Sequence, residues 1–371
     1  MGASFWITGP KCRFFSIASR AAPNRSGPGS EHAAIGDVIK LEVHVTSGMA
    51  AKIKEIKPGR LNPKAFIDRQ TREIAEAVGG GGAVNALSGG VDSAVVTMLG
   101  HRALGSALKT YFIDNGIMRI GEPEHVASLF GRLGVPVEIV DARAEFFHAL
   151  KGVTDPEEKR EAITRTFYKD VFGKLVRKSR TKFLLQGTNL TDVEETVAGI
   201  KRQHNILSQL GIDTEAAFGY VVLEPIIQLR KTAVRMVARA VGLPEEIYRR
   251  PPFPGPALAA RVIGEVTPDR IRTVATATEI VEEELGRTKA FQYLAILHDD
   301  RVTGIRNGKR EFGFQIEVRC WESADARVAS PTRLPFRTLE RIADRITDEV
   351  PGVVSVTYNI AKKPPSTIEA V

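Results

Sequence analysis

Apolar residues recur at helical spacing from residue 63 onward, and short apolar runs separate the helical stretches. Phe66, Ile67 and Ile74 predict an amphipathic helix over residues 63–77, which the glycines that follow it end. The same pattern predicts strands at 83–87, 108–113, 137–140 and 183–185, and helices at 91–104 and 122–133. This alternation indicates the α/β class, with a doubly wound parallel sheet that carries helices on both faces.

The pattern changes after residues 249–261, a stretch rich in proline and glycine that we interpret as a linker or a rigid loop between domains. Beyond it, the sequence predicts helices at 268–285 and 336–350 and strands at 312–318 and 353–360. Strands and helices do not alternate strictly there, so we expect a smaller α+β domain. The predicted divisions are an N-terminal extension at 1–60, an α/β domain at 61–250 and the α+β domain at 251–371.

The predicted extension at 1–60 differs from the rest in composition. Its first thirty residues contain four basic residues and no acidic residue, which is typical of an organelle transit peptide. Two other interpretations are open: a disordered tail, or a start assigned too far upstream, with Met49 as the first residue. We favour a disordered segment outside the catalytic part.

Composition and charge limit the classes of function. The chain has 371 residues, of which 43% are hydrophobic and 26% charged, and it contains no apolar run near the length of about 18–20 residues that crosses a bilayer. A net charge of +8 suits an anionic partner, but the basic residues are scattered, which favours a phosphorylated small molecule over nucleic acid. Cys12 and Cys320 are too far apart in sequence to indicate a zinc site or a disulfide framework, so we expect a reducing, cytoplasmic location.

The strongest chemical signal is "SGGVDS" at residues 88–93, between a predicted strand and a predicted helix. Glycines let a phosphate approach the backbone, and the helix N terminus and the hydroxyls of Ser88 and Ser93 favour an anion. Asp92 does not suit a plain anion site, but a carboxylate beside phosphates can hold Mg²⁺. We therefore predict that this segment, named the phosphate loop, binds phosphates and that Asp92 is a metal ligand.

The phosphate loop resembles the pyrophosphate-binding loop of the N-type ATP pyrophosphatases, which cleave ATP between its α- and β-phosphates. Other motifs follow in the order found in GMP synthetase: "YFIDNGIMR" at 111–119, "DPEEKR" at 155–160, "QGT" at 186–188, "PFPGPALAAR" at 252–261, "IGEVT" at 263–267 and "KKPPSTIE" at 362–369. The chain over about 61–371 is thus similar to the ATP-pyrophosphatase and dimerisation parts of the GMP synthetase family.

The resemblance implies a ligase that adenylates the 2-oxo group of xanthosine 5′-monophosphate (XMP) with ATP and Mg²⁺, releases pyrophosphate, and replaces AMP by ammonia to give GMP. It implies that Asp92 and Lys201 are catalytic, with Lys201 in a lid over the site. The implied ATP-binding residues are Ser88, Gly89, Gly90, Val91, Asp92, Ser93, Asp114, Gly187 and Thr188. The implied residues for the acceptor nucleotide are Arg160, Asp192, Glu195, Arg250, Arg261, Lys363, Ile368 and Glu369.

Several positions depart from the family pattern. The lid lacks one histidine and two glycines, Pro251 replaces a histidine, Ala257 replaces a glycine, and Ala370-Val371 replaces the final Trp-Glu. Because these changes lie near the acceptor end in the family, two alternatives remain open. The chain is either a divergent pyrophosphatase that adenylates another nucleobase or carbonyl for amine or sulfur insertion, or a nucleotide-binding homologue without turnover.

The sequence also bears on partners. The segment at 1–60 is too short for a glutaminase domain, so ammonia would come from solution or from a separate glutaminase subunit. The resemblance implies a homodimer through the C-terminal domain. We expect neither nucleic acid nor membrane as a partner.

Overall fold

The computed structural model describes residues 53–197, 220–324 and 326–370, with side chains for all of these except 195–197. Within these ranges, no helix is both long and apolar enough to cross a membrane.

Five parallel strands form the first sheet, in the order β3-β2-β1-β4-β5. They are β1 (Ala83–Ala86), β2 (Leu108–Asp114), β3 (Val137–Asp141), β4 (Phe183–Leu185) and β5 (Val221–Leu223). This order reverses direction between β1 and β4, as in doubly wound folds. The predicted fold class is confirmed.

The described helices of this part flank the sheet. They are α1 (Pro63–Val78), α2 (Val91–Leu104), α3 (Glu122–Arg132), α4 (Arg143–Leu150), α5 (Pro156–Arg165), a π-helical segment (Thr166–Phe172), α6 (Gly173–Ser179), α7 (Leu190–Val197), α8 (Lys231–Ala240) and α9 (Glu245–Tyr248), with short 3₁₀ turns at Pro58–Arg60 and Gly105–Ala107.

Local signals explain where the first helix begins and ends. The side chain of Asn62 accepts a hydrogen bond from the backbone N–H of Ala65 at 3.1 Å, and Pro63 occupies the first helical position. Gly79 ends the helix with a φ of 61°. Phe66, Ile67 and Ile74 are buried, so the predicted apolar face is the one that packs against the core.

The C-terminal part contains a second sheet. Its elements are a 3₁₀ helix (Ala257–Arg261), α10 (Pro268–Leu285), β6 (Gln292–Arg306), β7 (Lys309–Glu322), β8 (Ser330–Pro331), α11 (Phe336–Glu349) and β9 (Val353–Tyr358). Strand β7 pairs antiparallel with β6 and β8 and parallel with β9. Asn307 and Gly308, with φ angles of 52° and 73°, join β6 to β7 in a two-residue turn.

The proline-rich stretch at 249–261 is not an exposed tether. All five residues of the 3₁₀ helix Ala257–Arg261 are buried. Three of them, Ala257, Leu258 and Ala259, belong to a hydrophobic cluster that also contains Ile113 of the first sheet and Ile316 of the second. A continuous core therefore links the two sheets, and the predicted domain boundary at residue 250 stays a prediction.

Candidate active site

The phosphate loop lies at the carboxyl edge of the first sheet, where the strand order reverses. It follows β1, and the loop at 186–189 follows the neighbouring β4. Parallel α/β sheets bind ligands in the crevice outside these strand ends. The fold thus brings two motifs together that are about a hundred residues apart in the chain.

Hydrogen bonds around the hydroxyl of Ser93 define the shape of the phosphate loop. Ser93 Oγ donates to the carbonyl of Gly90 at 3.0 Å and accepts from the backbone N–H of Ser88 at 3.2 Å. The two serine hydroxyls lie 3.0 Å apart. Gly89 has a φ of 76°, a left-handed conformation that favours glycine. The loop ends at the N terminus of α2, whose dipole favours an anion.

Gly187 lies directly against the phosphate loop. A Cβ atom at this position would be 3.0 Å from the backbone nitrogen of Ser93 and 3.1 Å from the carbonyl carbon of Asp92. Thr188, the next residue, is fully buried. Close backbone contact therefore requires glycine at 187, and this contact brings the predicted ATP-binding residues Asp92, Ser93 and Gly187 together.

The carboxylate of Asp92 has one partnered and one unpartnered oxygen. Its Oδ2 accepts a hydrogen bond from Nζ of Lys231, the first residue of α8. Its Oδ1 is buried and has no hydrogen-bond partner among the residues that the structure describes. A buried carboxylate oxygen without a donor suits a cation. Sequence analysis did not select Lys231, which lies 139 residues from Asp92 in a segment without a chemical motif.

Arg250 lies beneath the phosphate loop. It forms a bidentate ion pair with Glu122, whose side chain is only 4% exposed. A Cβ at Gly89 would lie 2.6 Å from Glu122 Oε1 and 3.5 Å from Arg250 Nη1. Burial opposes the charge of Arg250, but the hydrogen bonds to Glu122 outweigh it and raise its pKa. Arg250, which is predicted to bind the acceptor nucleotide, thus lies beside Gly89 of the phosphate loop, and its role stays a prediction.

Two other predicted carboxylates hold local structure. Asp114, at the end of β2, accepts from the backbone N–H of Gly116 at 2.9 Å and lies 3.6 Å from Nε of Arg143. Asp192 accepts from the backbone N–H of Asn189 at 3.1 Å at the start of α7.

A second group of predicted residues meets in the C-terminal part. Arg261, only 1% exposed, donates to Glu369 from Nε at 3.1 Å and from Nη2 at 3.3 Å. Gln292, at the start of β6, donates to the same carboxylate at 2.6 Å. Ile368 is buried beside Trp321. We name Arg261, Gln292, Ile368 and Glu369 the C-terminal cluster; sequence analysis missed Gln292.

Arg319 fixes the backbone of this terminal segment, since its Nη1 donates to the carbonyls of Thr367 at 2.8 Å and of Glu369 at 3.3 Å. Lys363 is held through its backbone, which exchanges hydrogen bonds of 2.9 and 3.1 Å with Ala329. The terminal motif is therefore docked on the second sheet.

Arg160 lies in α5, beside the 3₁₀ helix that ends at Arg261. With Pro256, Ala259 and Ala260 it lines a narrow crevice. Its Nε is buried without a hydrogen-bond partner in the described ranges, and the same holds for Nη1 of Arg261.

The ring of Phe253 lies between the two groups of residues. The guanidinium of Arg119 is 4.0 Å from the ring centroid and that of Arg261 is 5.0 Å from it. Burial lowers the pKa of Arg119 although Glu282 and Glu122 favour its charge, and Arg250 lowers it further. Arg250, Arg119 and Phe253 thus connect the phosphate loop to Arg261 of the C-terminal cluster, through ring contacts and the interaction between the charges of Arg250 and Arg119.

Comparisons with known proteins identify the family. The model of the NAD synthase family matches residues 65–257, and that of the GMP synthase C terminal domain matches residues 278–370. The chain is 45% identical over 309 residues to one subunit of the GMP synthase [glutamine-hydrolyzing] of Archaeoglobus fulgidus, with 83% of this chain and 99% of the relative covered. The same subunit of the Methanopyrus kandleri enzyme is 43% identical over 319 residues, with the same shares covered. The chain belongs to the GMP synthase family.

Membership confirms the resemblance, and with it the expected enzyme class. The chain is a GMP synthase-like ATP pyrophosphatase, a ligase that forms C–N bonds and uses ATP. Two predicted site residues of this GMP synthase homologue have no described side chain. Lys201 lies outside the described residues, and Glu195 lies in α7 with its side chain outside them.

Proposed function

We propose that this chain catalyses both steps of GMP formation from XMP, using free or delivered ammonia. The 2-oxo oxygen of XMP attacks the α-phosphorus of ATP and displaces pyrophosphate. Ammonia then attacks carbon 2 and displaces AMP, with loss of a proton. The observation that supports this proposal most is the phosphate loop at the sheet reversal, closed by Gly187 and carrying an unpartnered, buried oxygen of Asp92.

Negative charge develops on the departing pyrophosphate during the first step. Backbone N–H groups of the phosphate loop and the N terminus of α2 would stabilise that charge without rearrangement. Lys231 would act with them: it pairs with Asp92 here, and a phosphate oxygen near the loop would compete for the same ammonium.

Asp92 is the residue that would hold Mg²⁺ through Oδ1, the oxygen without a hydrogen-bond donor among the described residues. When bound, the ion would neutralise charge on the phosphates of ATP. The other ligands would be phosphate oxygens and water, the oxygen ligands that Mg²⁺ prefers.

The acceptor nucleotide would bind between Arg160 and the C-terminal cluster. A guanidinium suits the 5′-phosphate of a mononucleotide, and the carboxylate of Glu369 can accept from purine N–H groups. Arg261 is buried and holds Glu369, so its part would be to orient that carboxylate. Asp192, Glu195, Arg250 and Lys363 stay predicted contacts.

We further propose three partners and a location. A separate glutaminase would supply ammonia, since the relatives are named as one subunit of a glutamine-hydrolysing synthase.

A second copy of the chain would pack on the β6–β7 hairpin, where Ile305 is 79% and Phe312 68% exposed. The strand register places Ile305 and Phe312 on one face of the hairpin. XMP completes the set, and the location that we propose is the cytoplasm.

The purified chain incubated with ATP, Mg²⁺, ammonia and XMP should produce GMP and pyrophosphate. Asp92→Asn should lower pyrophosphate release roughly a hundredfold or more, because the metal-binding charge is lost. Asp269→Asn is the matched control, since that carboxylate is 88% exposed and pairs with Arg272 away from the phosphate loop.

The outcomes separate the alternatives. Pyrophosphate that appears only with another acceptor would indicate a different substrate. Tight nucleotide binding without pyrophosphate would indicate a homologue without turnover. Full activity of Asp92→Asn would remove Asp92 as a metal ligand.

A further inference from the structure

Lys159 is a buried lysine next to Arg160 in α5. Its side chain is 1% exposed, and Nζ donates a hydrogen bond to the carbonyl of Val262 at 2.8 Å. Burial, followed by the charge of Arg270, lowers the pKa of Lys159 to about 8. Lysine is almost never fully buried, because an ammonium without partners costs much free energy inside a protein.

The hydrogen bond from Lys159 belongs to a set that fixes Val262 and Ile263, which we name the fixed segment. Arg270 of α10 donates to the carbonyl of Ile263 at 2.6 Å. The backbone N–H of Ile263 donates to Leu297 of β6 at 2.9 Å. Lys159 of α5, Arg270 of α10 and strand β6 thus each form a hydrogen bond with the fixed segment.

The fixed segment connects the two ends of the proposed acceptor site. The residue before it is Arg261, which holds Glu369. The strand that pairs with it, β6, begins with Gln292, which holds the same carboxylate. The residue after Lys159 is Arg160. The hydrogen bond from Lys159 to Val262 therefore joins the helix that carries Arg160, the predicted phosphate-binding cation, to the segment that follows Arg261, the residue that holds Glu369.

We propose that Lys159 is a positioning residue for the acceptor nucleotide, and that its hydrogen bond to Val262 sets the separation between Arg160 and the Arg261–Glu369 pair. The inference rests on the proposed function, in which these groups bind opposite ends of a mononucleotide. A mononucleotide has a fixed distance between its phosphate and its base, so the separation of the two groups decides whether both bind at once.

Lys159→Met removes the hydrogen bond and keeps a long apolar side chain. The expected result is a rise of roughly tenfold in the KM for XMP, with the KM for ATP changed less than about twofold. Ile346→Ala is the control for stability alone, since Ile346 is fully buried in α11 and lies outside the fixed segment. An equal rise in both nucleotide KM values would overturn the inference.

A double-mutant cycle with Arg160→Ala separates positioning from a general structural role. If Lys159 acts by placing Arg160, Lys159→Met should change the KM for XMP less than about twofold once Arg160 is absent. A tenfold rise in both backgrounds would contradict that role. If Lys159→Met does not yield folded protein, Arg270→Met replaces it in the cycle with Arg160→Ala. Additive effects of these two substitutions on the KM for XMP would overturn the inference.

Failure of the proposed function gives a different result. If Arg160→Ala and Glu369→Gln both leave the KM for XMP unchanged, the acceptor site itself is wrong. If both raise that KM while Lys159→Met does not, only the role of Lys159 is refuted.

Discussion

Replacement of Gly187 by alanine should slow pyrophosphate release while the protein stays folded. The added Cβ would lie 3.0 Å from the nitrogen of Ser93 and 3.1 Å from the carbonyl carbon of Asp92. Both contacts are with backbone, which cannot rotate away as a side chain can. Since heavy atoms in contact are normally about 3.5–4.0 Å apart, the two loops would have to separate by about 0.5 Å.

The size of the effect follows from that displacement. A misplacement of about 1 Å at a catalytic site can cost roughly a hundredfold in rate, so a displacement of about half that size should cost roughly tenfold. The overpacked contact should also lower the free energy of unfolding by about 1–3 kcal/mol. Rate and stability are therefore measured on the same preparation.

The assay measures initial rates of pyrophosphate release against ATP concentration, with saturating XMP and ammonia, beside thermal unfolding. Gly131→Ala is the matched control, because a Cβ at Gly131 in α3 would meet nothing within 4 Å. That variant should gain about 0.5–1 kcal/mol of stability and keep its rate. A Gly187→Ala variant with the wild-type rate and KM for ATP would refute the close approach of the two loops.

Two further predictions concern stability. Asn85 is fully buried in β1, where it donates to Thr97 at 2.5 Å and accepts from Thr110 at 2.8 Å. Asn85→Ala should cost on the order of 2–3 kcal/mol in denaturant-induced unfolding, because both hydroxyls lose a partner; a cost below about 1 kcal/mol would speak against it. Burial opposes ionisation of Glu317, but hydrogen bonds from His298 and Arg319 outweigh it and lower its pKa from 4.5 to about 2. Because the folded pKa is the lower one, this stabilisation is present above pH 4.5 and is lost as the pH falls toward 2. Glu317→Gln should therefore destabilise the protein above pH 4.5 and match the wild type near pH 2, and a difference independent of pH in thermal unfolding would contradict the assignment.

Most helices and strands were predictable because their signals are local. Helix α2 lies at the predicted residues 91–104, between the phosphate loop and Gly105, and α1 differs from its prediction by one residue. Strand β6 was not predicted. Its first half is buried and its second half mostly exposed, so apolar and polar residues do not alternate along it. The Asn307-Gly308 pair was the signal that could have revealed the hairpin.

Because β6 was not predicted, sequence analysis also missed Gln292, a residue of the C-terminal cluster. Gln292 is the first residue of β6, and a glutamine without an assigned strand carries no indication of function. Arg250 shows what the tertiary structure adds to a sequence motif. Its bidentate pair with Glu122 lies beside Gly89 of the phosphate loop, a contact that its position in the sequence did not indicate.

The sequence by itself determined the family, the sheet type and the phosphate loop, because strand, loop and helix are contiguous there and their signals are short-range. Only the tertiary structure decided the partners of that loop. Lys231 contacts Asp92, which is 139 residues away in the chain. Gly187, in the loop after β4, contacts the backbone of the phosphate loop. Lys159 contacts Val262, which is 103 residues away. Such contacts depend on how the strands are ordered in the sheet and on which elements share a core, and neither is encoded in the spacing of residues along the chain.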